Sequence, residues 1–308
     1  MNKLFKTIGF LVLTMTVLLL TTLACKQGNK EVPTEVTHKQ LVKMIAEIKG
    51  DVAVAFINLD DEKDNILINA EEEFHAASTM KVPVMIELFQ QQALQTLDLQ
   101  DSIVLKNEFK SIVDGSSYQM DIGEDSDDVI YKSIGKKVKL YDLMYSMITM
   151  SSNLATNVLI ELVDAKQVTQ RMRDLGAMDI NVLRGVEDMK AFELGLSNST
   201  TAKDLMIIMK AIAENKAGSD EHCKEMVAIL TDQNFKSILP KLLPKDVKVA
   251  HKTGSITGVH HDAGIVYLPD GRSYVLVLLS KNLEDFNKGT EQLAALSKRV
   301  YEHMNQTN

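Results

Sequence analysis

Segments that favour β-strands stand near both ends of this 308-residue chain, and helical patterns fill its middle. The strand-like segments are residues 52–59, 66–69, 247–252, 264–268 and 273–280, and a closing helix places Leu293, Leu296, Val300 and Met304 on one face. Such distant strands form one sheet only if the two chain ends meet. We therefore predict an α+β fold: an antiparallel sheet built from both chain ends, flanked by the terminal helices, with an inserted all-helical lobe.

The folded domain is predicted to cover residues 38–308. Its sheet lobe would comprise residues 38–75 and 245–308, approximately, and its helical lobe residues 76–244. Residues 114–137 are rich in Gly, Ser and Asp and predict a long loop. Ligand sites often lie in a groove between two lobes, so we expect the functional site there.

The first 24 residues have the pattern of a signal peptide, because two lysines precede an apolar stretch at residues 8–20. Ala24 before Cys25 resembles a bacterial lipoprotein signal, in which the cysteine is lipidated; residues 25–37 would then form a polar tether. This pattern predicts a periplasmic protein that contacts the membrane only through its lipidated N-terminus. A secreted protein with an ordinary cleaved signal, or an uncleaved anchor, is the alternative.

The composition argues against several classes of function. The formal net charge is −8, and no basic run is interleaved with aromatic residues, so we expect no nucleic-acid binding. Cys223 is left without a partner if Cys25 is lipidated, and no His/Cys cluster has metal-ligand spacing. We therefore expect no disulfide, metal or cofactor, and a monomer is the default expectation.

The segment Ser78-Thr79-Met80-Lys81 is the first of three short motifs that carry chemistry. A serine hydroxyl is scarcely ionised at neutral pH and needs a base within hydrogen-bond reach to act as a nucleophile. Ser78 and Lys81 are three residues apart, so at the start of a helix they share a face. The helix N-terminus would stabilise a developing oxyanion and lower the pKa of the lysine. Ser78 is the candidate nucleophile and Lys81 its candidate base.

The same spacing occurs a second time, from Ser133 to Lys136, and shows that chance alone can produce it. Ser133 lies in a Gly- and Lys-rich loop, whereas Ser78 opens an apolar helix directly after a predicted hairpin. Pro83 also fits near a helix start, where its missing N–H costs little. The context therefore favours Ser78.

The second motif is Ser151-Ser152-Asn153, between two apolar helical stretches. Taken alone, it is more simply a turn between two helices with a capping residue. Taken with the first motif, Ser151 would relay a proton towards a leaving nitrogen. Asn153 would contact both the substrate and Lys81.

The third motif is Lys252-Thr253-Gly254, near the end of an edge-like strand. An edge strand can hydrogen-bond an extended peptide or a mimic of one. Lys252 and Thr253 would hold a carboxylate, and Gly254 would let the substrate approach closely.

Together, these motifs resemble the class A β-lactamase family, within the superfamily of active-site-serine β-lactamases and penicillin-binding proteins. The similarity covers most of the chain from residue 39 onwards. The resemblance implies a serine hydrolase in which Ser78 attacks the β-lactam amide and forms an acyl-enzyme. It also implies that the backbone N–H groups of Ser78 and Ser255 form the oxyanion hole.

The resemblance further implies a glutamate, on a loop between the second and third motifs, that activates the deacylating water. That loop would begin at Arg184, with Glu187 as the candidate base and Glu193 as a second possibility. The family's Glu-x-x-Leu-Asn pattern is absent, and Asn198 stands where an aspartate usually pairs with the arginine. A solvated loop carboxylate is therefore the competing interpretation of Glu187.

A second departure concerns the substrate carboxylate. Many family members carry an arginine on the strand after the third motif, whereas here His260, His261 and Asp262 occupy that stretch. Either a histidine assists, or Lys252 and Thr253 suffice.

The leading prediction is a β-lactamase that acts on small-molecule β-lactams. The alternative is a D,D-peptidase or other peptidoglycan-directed serine hydrolase, which acts on a stem peptide. Such an enzyme is acylated by β-lactams but deacylates slowly. A third possibility is a non-catalytic lipoprotein that binds cell-wall fragments or β-lactams. The retention of all three reactive motifs argues against that third possibility.

Overall fold

The computed structural model describes residues 33–306. The predicted signal peptide, Cys25 and residues 26–32 lie outside the described residues. The first described helix covers Pro33–Ala46, so residues 33–37 of the predicted tether are helical, and the buried Thr37 hydroxyl lies 3.1 Å from His303 Nδ1. None of the helices within residues 33–306 has the length and apolar character needed to span a bilayer.

Strands and helices alternate in blocks along the chain. The strands are β1 (Asp51–Asn58), β2 (Asn65–Ile68), β3 (Phe74–His75), β4 (Ser102–Val104), β5 (Phe109–Lys110), β6 (Ser117–Tyr118), β7 (Lys137–Lys139), β8 (Ser199–Thr200), β9 (Lys248–Ile256), β10 (Val259–Tyr267) and β11 (Ser273–Lys281). The helices are α1 (Pro33–Ala46), α2 (Lys81–Ala93), α3 (Leu140–Thr149), α4 (Asn153–Val163), α5 (Ala165–Asp174), α6 (Met189–Glu193), α7 (Ala202–Ala213), α8 (Asp220–Thr231) and α9 (Phe286–Gln306).

A five-stranded antiparallel sheet in the order β2-β1-β11-β10-β9 confirms the predicted fold class. β1 pairs with β11 along its whole length, with Ala55 opposite Val277, so the two ends of the chain meet inside the sheet. β9, which carries the third motif, lies at the sheet edge. The remaining short strands form two-stranded pairs, β3 with β8, β4 with β7 and β5 with β6.

Hydrophobic cores cover both faces of the sheet. Successive residues of a strand point to opposite faces, so Ala55 of β1 joins the core shared with the helical lobe while Phe56 joins the core beneath α1 and α9. The predicted apolar face of the closing helix is fully buried in this second core: Leu293, Leu296, Val300 and Met304. The terminal helices thus cover one face of the sheet, as predicted, and α7 packs on the other.

β10 begins at Val259, whereas the sequence pattern indicated a strand only from residue 264. The polar residues 260–262 hide the apolar pattern, yet their side chains are buried and their backbone pairs with residues 253–255 of β9. This pairing extends the sheet along the whole third motif. It therefore gives the motif a rigid backing strand.

The predicted loop at residues 114–137 contains little regular structure apart from β6 and a 3₁₀ turn at Ile130–Ser133. Short Asx-type turns shape it, because Asp125 Oδ1 accepts from the Asp127 N–H and Asp127 Oδ1 accepts from the Val129 N–H. Both aspartates are buried. The loop is thus folded against the body of the protein and forms part of the site described next.

Candidate active site

The predicted motif residues meet in a groove between the sheet edge and the helical lobe. A cavity of about 850 Å³ occupies this groove, and six of the predicted residues form part of its wall: Ser78, Ser151, Asn153, Glu187, Thr253 and Ser255. Lys81 and Lys252 are fully buried beneath that wall. Gly254 packs against the turn that carries Ser78. The structure thus brings together every predicted site residue within its described range.

Ser78 lies in a 3₁₀ turn, Ala77–Met80, that leads directly into α2. Ala77 has a φ of 45°, a left-handed conformation that costs free energy in a residue with a side chain. The Thr79 hydroxyl donates to the Ala76 carbonyl at 2.6 Å and closes the turn. The turn holds Ser78 half-buried at the cavity wall, where its hydroxyl can meet a ligand.

Lys81 is fully buried at the start of α2 and its ammonium group has three acceptors. Nζ donates to the Ser151 carbonyl at 2.8 Å, to Ser151 Oγ at 3.2 Å and to Asn153 Oδ1 at 2.9 Å. Burial lowers the pKa of Lys81 to about 7, although the negative charges of Asp125 and Glu187 act in the opposite direction. A neutral amine, and thus a base, is therefore accessible near neutral pH.

Ser151 connects the two buried lysines. It lies between α3 and α4 in a left-handed conformation, with a φ of 57°. Its Oγ accepts from Lys81 Nζ at 3.2 Å and from Lys252 Nζ at 3.1 Å. Burial and the nearby charge of Lys81 hold the pKa of Lys252 well below its ordinary value. Because both lysines donate to its lone pairs, the Ser151 hydroxyl can direct its own proton towards the cavity.

Gly254 allows β9 to approach the Ser78 turn. A Cβ at this position would lie 3.0 Å from the Ser78 nitrogen and 3.1 Å from the Thr79 nitrogen. We predicted that Gly254 lets the substrate approach closely, whereas in the structure the turn that carries Ser78 fills the space beside Gly254. The absence of a side chain at Gly254 thus sets the separation between the first and third motifs.

We expect Gly254→Ala to separate β9 from the Ser78 turn by a few tenths of an ångström. Overpacking of this kind costs about 1–3 kcal/mol, and displaced reacting groups slow acylation by about 10–100-fold. The thermal midpoint and the rate of Ser78 modification measure these two effects. Gly218→Ala is the matched control, because its Cβ would meet only side-chain atoms at 3.4 Å or beyond. Equal rates in both variants would contradict this role of Gly254.

Glu187 faces the cavity from the loop that precedes α6. Its Oε1 accepts from Asn153 Nδ2 at 2.8 Å, and its Oε2 accepts from the Asp121 N–H at 3.4 Å. Burial raises the pKa of the Glu187 carboxyl, and the hydrogen bond from Asn153 partly opposes this shift. Glu193, the second candidate, is exposed at the end of α6 and is not part of the cavity wall.

Asn198 closes the loop that carries Glu187. Its Oδ1 accepts from the N–H groups of Leu183 and Arg184, at 2.8 and 3.2 Å, and its Nδ2 donates to the Arg184 carbonyl at 3.0 Å. The Arg184 side chain instead donates to the carbonyl oxygens of Leu196 and Gly185. An amide that bridges the backbone thus stands where the family pattern led us to expect an arginine–aspartate pair.

His260 is the member of the 260–262 run that reaches the cavity wall. Its ring stacks on Phe286, with centroids 4.7 Å apart, and its Nδ1 lies 2.7 Å from Thr290 Oγ1. Burial lowers the pKa of His260, so the neutral imidazole predominates at neutral pH. Any histidine contribution to anion binding at this wall would therefore be strongest in acid.

Comparison with known proteins decides the family. Residues 37–304 match the family described as the Beta-lactamase enzyme family. The chain belongs to this family. The extended-spectrum β-lactamase PER-1 of Pseudomonas aeruginosa is 26% identical over 302 residues, which cover 92% of this chain and 91% of that relative. A β-lactamase of Bacteroides uniformis is 26% identical over 179 residues, covering 54% of this chain and 60% of that relative.

Solved structures confirm the fold of this β-lactamase-family chain. The crystal structure of a β-lactamase from Sphaerobacter thermophilus is 25% identical and superposes with a TM-score of 0.74. The superposition covers 87% of this chain and 97% of that one.

Residues 33–306 contain no group of three or more His, Cys, Asp or Glu side chains placed to hold a metal ion.

Two site residues of this β-lactamase-family protein escaped the sequence analysis. His75 Nδ1 accepts from the Ala77 N–H at 3.0 Å and so holds the strained turn before Ser78. Asp125, in the loop at residues 114–137, accepts from the first turn of α4. Neither residue belongs to a short motif. Asp125 in particular is one of many acidic residues in its loop, and only the folded structure singles it out.

Proposed function

We propose that this protein is a serine β-lactamase that hydrolyses the β-lactam amide through a Ser78 acyl-enzyme. One observation carries the proposal: the Asn153 side chain binds Lys81 Nζ through Oδ1 and Glu187 Oε1 through Nδ2. A single amide thus holds the candidate acylating base and the candidate deacylating base at one cavity. The names of the relatives and the family match support the same reaction.

Acylation begins when neutral Lys81 takes the proton of the Ser78 hydroxyl and Ser78 Oγ attacks the β-lactam carbonyl carbon. The backbone N–H groups of Ser78 and Ser255 stabilise the oxyanion that forms. The bond between that carbon and the lactam nitrogen then breaks. Ser151 gives its proton to the nitrogen, and the Lys81 ammonium, 3.2 Å from Ser151 Oγ, replaces that proton.

Deacylation is assigned to Glu187. As a carboxylate it takes a proton from a water molecule, whose oxygen attacks the ester carbon of the acyl-enzyme. The bond to Ser78 Oγ breaks, and the proton returns to that oxygen. The raised pKa of Glu187 brings its basicity closer to that required of a general base.

The third motif would bind the carboxylate that most β-lactams carry next to the lactam nitrogen. Lys252 supplies positive potential from beneath the cavity wall, and the Thr253 and Ser255 side chains lie on that wall. The hydroxyl of Thr253 would donate to the carboxylate. Gly254, which has no side chain, lets this strand pack against the turn that carries Ser78.

Comparing two substrates tests the proposed reaction. The purified protein should hydrolyse a penicillin with many turnovers and should release little D-alanine from a stem-peptide analogue ending in D-Ala-D-Ala. Release of D-alanine together with slow, stoichiometric penicillin binding would instead identify a D,D-peptidase. Parallel assays of the same preparation distinguish these results.

We expect the acylation rate to rise with pH and to level off above the Lys81 pKa of about 7. Below that pH the ammonium predominates, and the rate should fall by about tenfold per pH unit. Rapid-quench measurement of Ser78 acylation across this range tests the assignment. Lys81→Arg retains a cation that does not deprotonate, so it should lose acylation at every pH. A pH-independent rate in the wild type would contradict the role of Lys81.

We also propose that residues 1–24 are a signal peptide, that Cys25 is lipidated, and that the folded domain is a periplasmic monomer tethered to the membrane. The sequence around Ala24 and Cys25 supports this proposal. Mass spectrometry of the N-terminal peptide from the expressing cell tests it. A mature N-terminus other than lipidated Cys25 would contradict the lipoprotein assignment.

A further inference from the structure

Asp125 is a buried carboxylate that lies directly behind the second motif. Its two carboxylate oxygens each accept from the Asn153 backbone N–H at 3.0 Å, and Oδ2 also accepts from the Leu154 N–H at 2.8 Å. The hydroxyls of Ser152 and Tyr131 also donate to Oδ2, at 3.4 and 3.0 Å. The carboxylate therefore caps the N-terminus of α4, where negative charge is favourable.

The residue that Asp125 fixes is the one that joins the two candidate bases. The Asn153 backbone binds Asp125, while the Asn153 side chain accepts from Lys81 and donates to Glu187. A shift of the first turn of α4 would therefore move the Asn153 side chain away from its hydrogen-bond partners, Lys81 and Glu187. It would also move Ser151, which precedes that turn.

We propose that Asp125 is a positioning residue for the reaction: it holds the first turn of α4 so that Asn153 and Ser151 stay aligned with Lys81. This inference rests on the proposed function, because it assumes that Lys81 is the base acting on Ser78. Asp125 acts through the second motif and has no assigned contact with the substrate.

The loop that carries Asp125 also contacts the loop that carries Glu187. The Asp121 N–H donates to Glu187 Oε2 at 3.4 Å, and the Tyr118 hydroxyl lies 3.3 Å from the Val186 carbonyl oxygen. The same segment of chain thus contacts the second motif on one side and the loop that carries Glu187 on the other. Asp125 is the buried ionic group at the first of these contacts.

The charge of Asp125 provides a readout that a structural role alone would not give. Asp125 and Glu187 raise the pKa of Lys81 against the effect of burial. Lys252, whose own pKa is held well below its ordinary value by burial and by Lys81, faces Lys81 from β9 across Ser151 Oγ. The charge of Asp125 also raises the pKa of Glu187. Removing that charge should therefore lower both pKa values and shift the acidic limb of the acylation profile to lower pH.

The test compares Asp125→Asn with Asp127→Asn, a control from the same loop. Asp127 is also buried and accepts from the Ser146 hydroxyl and from the N–H groups of Val129 and Ile130. Modification of Ser78 is measured from about pH 5 to about pH 9 with a fluorescent penicillin and, in parallel, with a fluorophosphonate, a serine reagent that needs no β-lactam recognition. The thermal midpoint of each variant is recorded as well.

Asp125→Asn should lower the plateau rate by about 10–100-fold with both reagents and move the acidic limb to lower pH. Asp127→Asn should keep the wild-type profile. A plateau rate of Asp125→Asn within about twofold of the wild-type rate would overturn the proposal. A lower plateau rate without a shift of the acidic limb to lower pH would overturn it as well. If the wild type reacts with the fluorophosphonate and not with penicillin, the β-lactamase proposal fails while the fluorophosphonate profiles still decide the role of Asp125.

A second variant covers the case in which Asp125→Asn does not fold. Tyr131→Phe removes one donor to Asp125 Oδ2 and leaves the carboxylate in place. We expect a small decrease in the thermal midpoint and a plateau rate lowered by about threefold, because the carboxylate loses one donor and is held less firmly. A rate equal to that of the wild type would overturn the proposal.

Discussion

Replacing Ser78 with alanine is expected to abolish β-lactam turnover, with a loss of about 10⁶-fold. The substitution removes the oxygen that would form the acyl bond, and the neighbouring Ser151 hydroxyl is already engaged. Ser151 Oγ already accepts from the two buried lysines. The fold should be unaffected, because Ser78 is half-buried at the cavity wall. Hydrolysis rate, adduct mass and thermal midpoint together measure the result.

The second Ser-x-x-Lys segment supplies the control for this experiment. Ser133 ends a 3₁₀ turn, and Lys136 is exposed, in contrast to the fully buried Lys81. Neither Ser133 nor Lys136 forms part of the cavity wall that contains Ser78. Ser133→Ala should therefore retain wild-type hydrolysis. Turnover that survives Ser78→Ala and disappears in Ser133→Ala would contradict the assignment of the nucleophile.

Replacing Glu187 with glutamine is expected to trap the acyl-enzyme. Glutamine keeps an oxygen that can accept from Asn153 Nδ2, so the cluster around Lys81 stays in place. Acylation should remain within about threefold of the wild-type rate, whereas deacylation should fall by about 10²–10⁴-fold, the contribution typical of a general base. Time-resolved mass spectrometry after one addition of penicillin separates the two steps.

Glu193 is the matched control for the Glu187 substitution. It lies on the same loop region but is exposed at the end of α6. Glu193→Gln should deacylate as the wild type does. A transient adduct in Glu187→Gln, with wild-type turnover, would show that Glu187 is a solvated loop carboxylate. An adduct that persists in Glu193→Gln would identify Glu193 as the deacylating base.

The sequence predicted those parts of the fold and site that depend on local spacing. Ser78 and Lys81 were predicted as candidates because a spacing of three residues places two side chains on one face of a helix. The structure places Ser78 in a 3₁₀ turn and Lys81 at the start of α2, where it is fully buried. The sheet was predicted because apolar strand patterns recur at both chain ends. Its order confirms that prediction, with β1 from one end beside β11 from the other.

Other features depend on contacts between distant segments and left no local signal. Asp125 lies 28 residues before Asn153, in a loop where several carboxylates are equally plausible by sequence. The start of β10 was missed because residues 260–262 are polar, although the sheet buries them. Asn198 was noted as a departure from the family pattern, and only its three backbone hydrogen bonds show how an amide closes the loop.

Intact-protein mass spectrometry, combined with absorbance, tests the central claim most directly. The purified protein is mixed with a penicillin and, separately, with a chromogenic cephalosporin, and adduct mass and colour are followed together. We predict rapid colour and little persistent adduct, as expected if Ser78 is acylated and Glu187 then activates water. A stable one-to-one adduct without turnover would contradict it and would identify a penicillin-binding, peptidoglycan-directed enzyme.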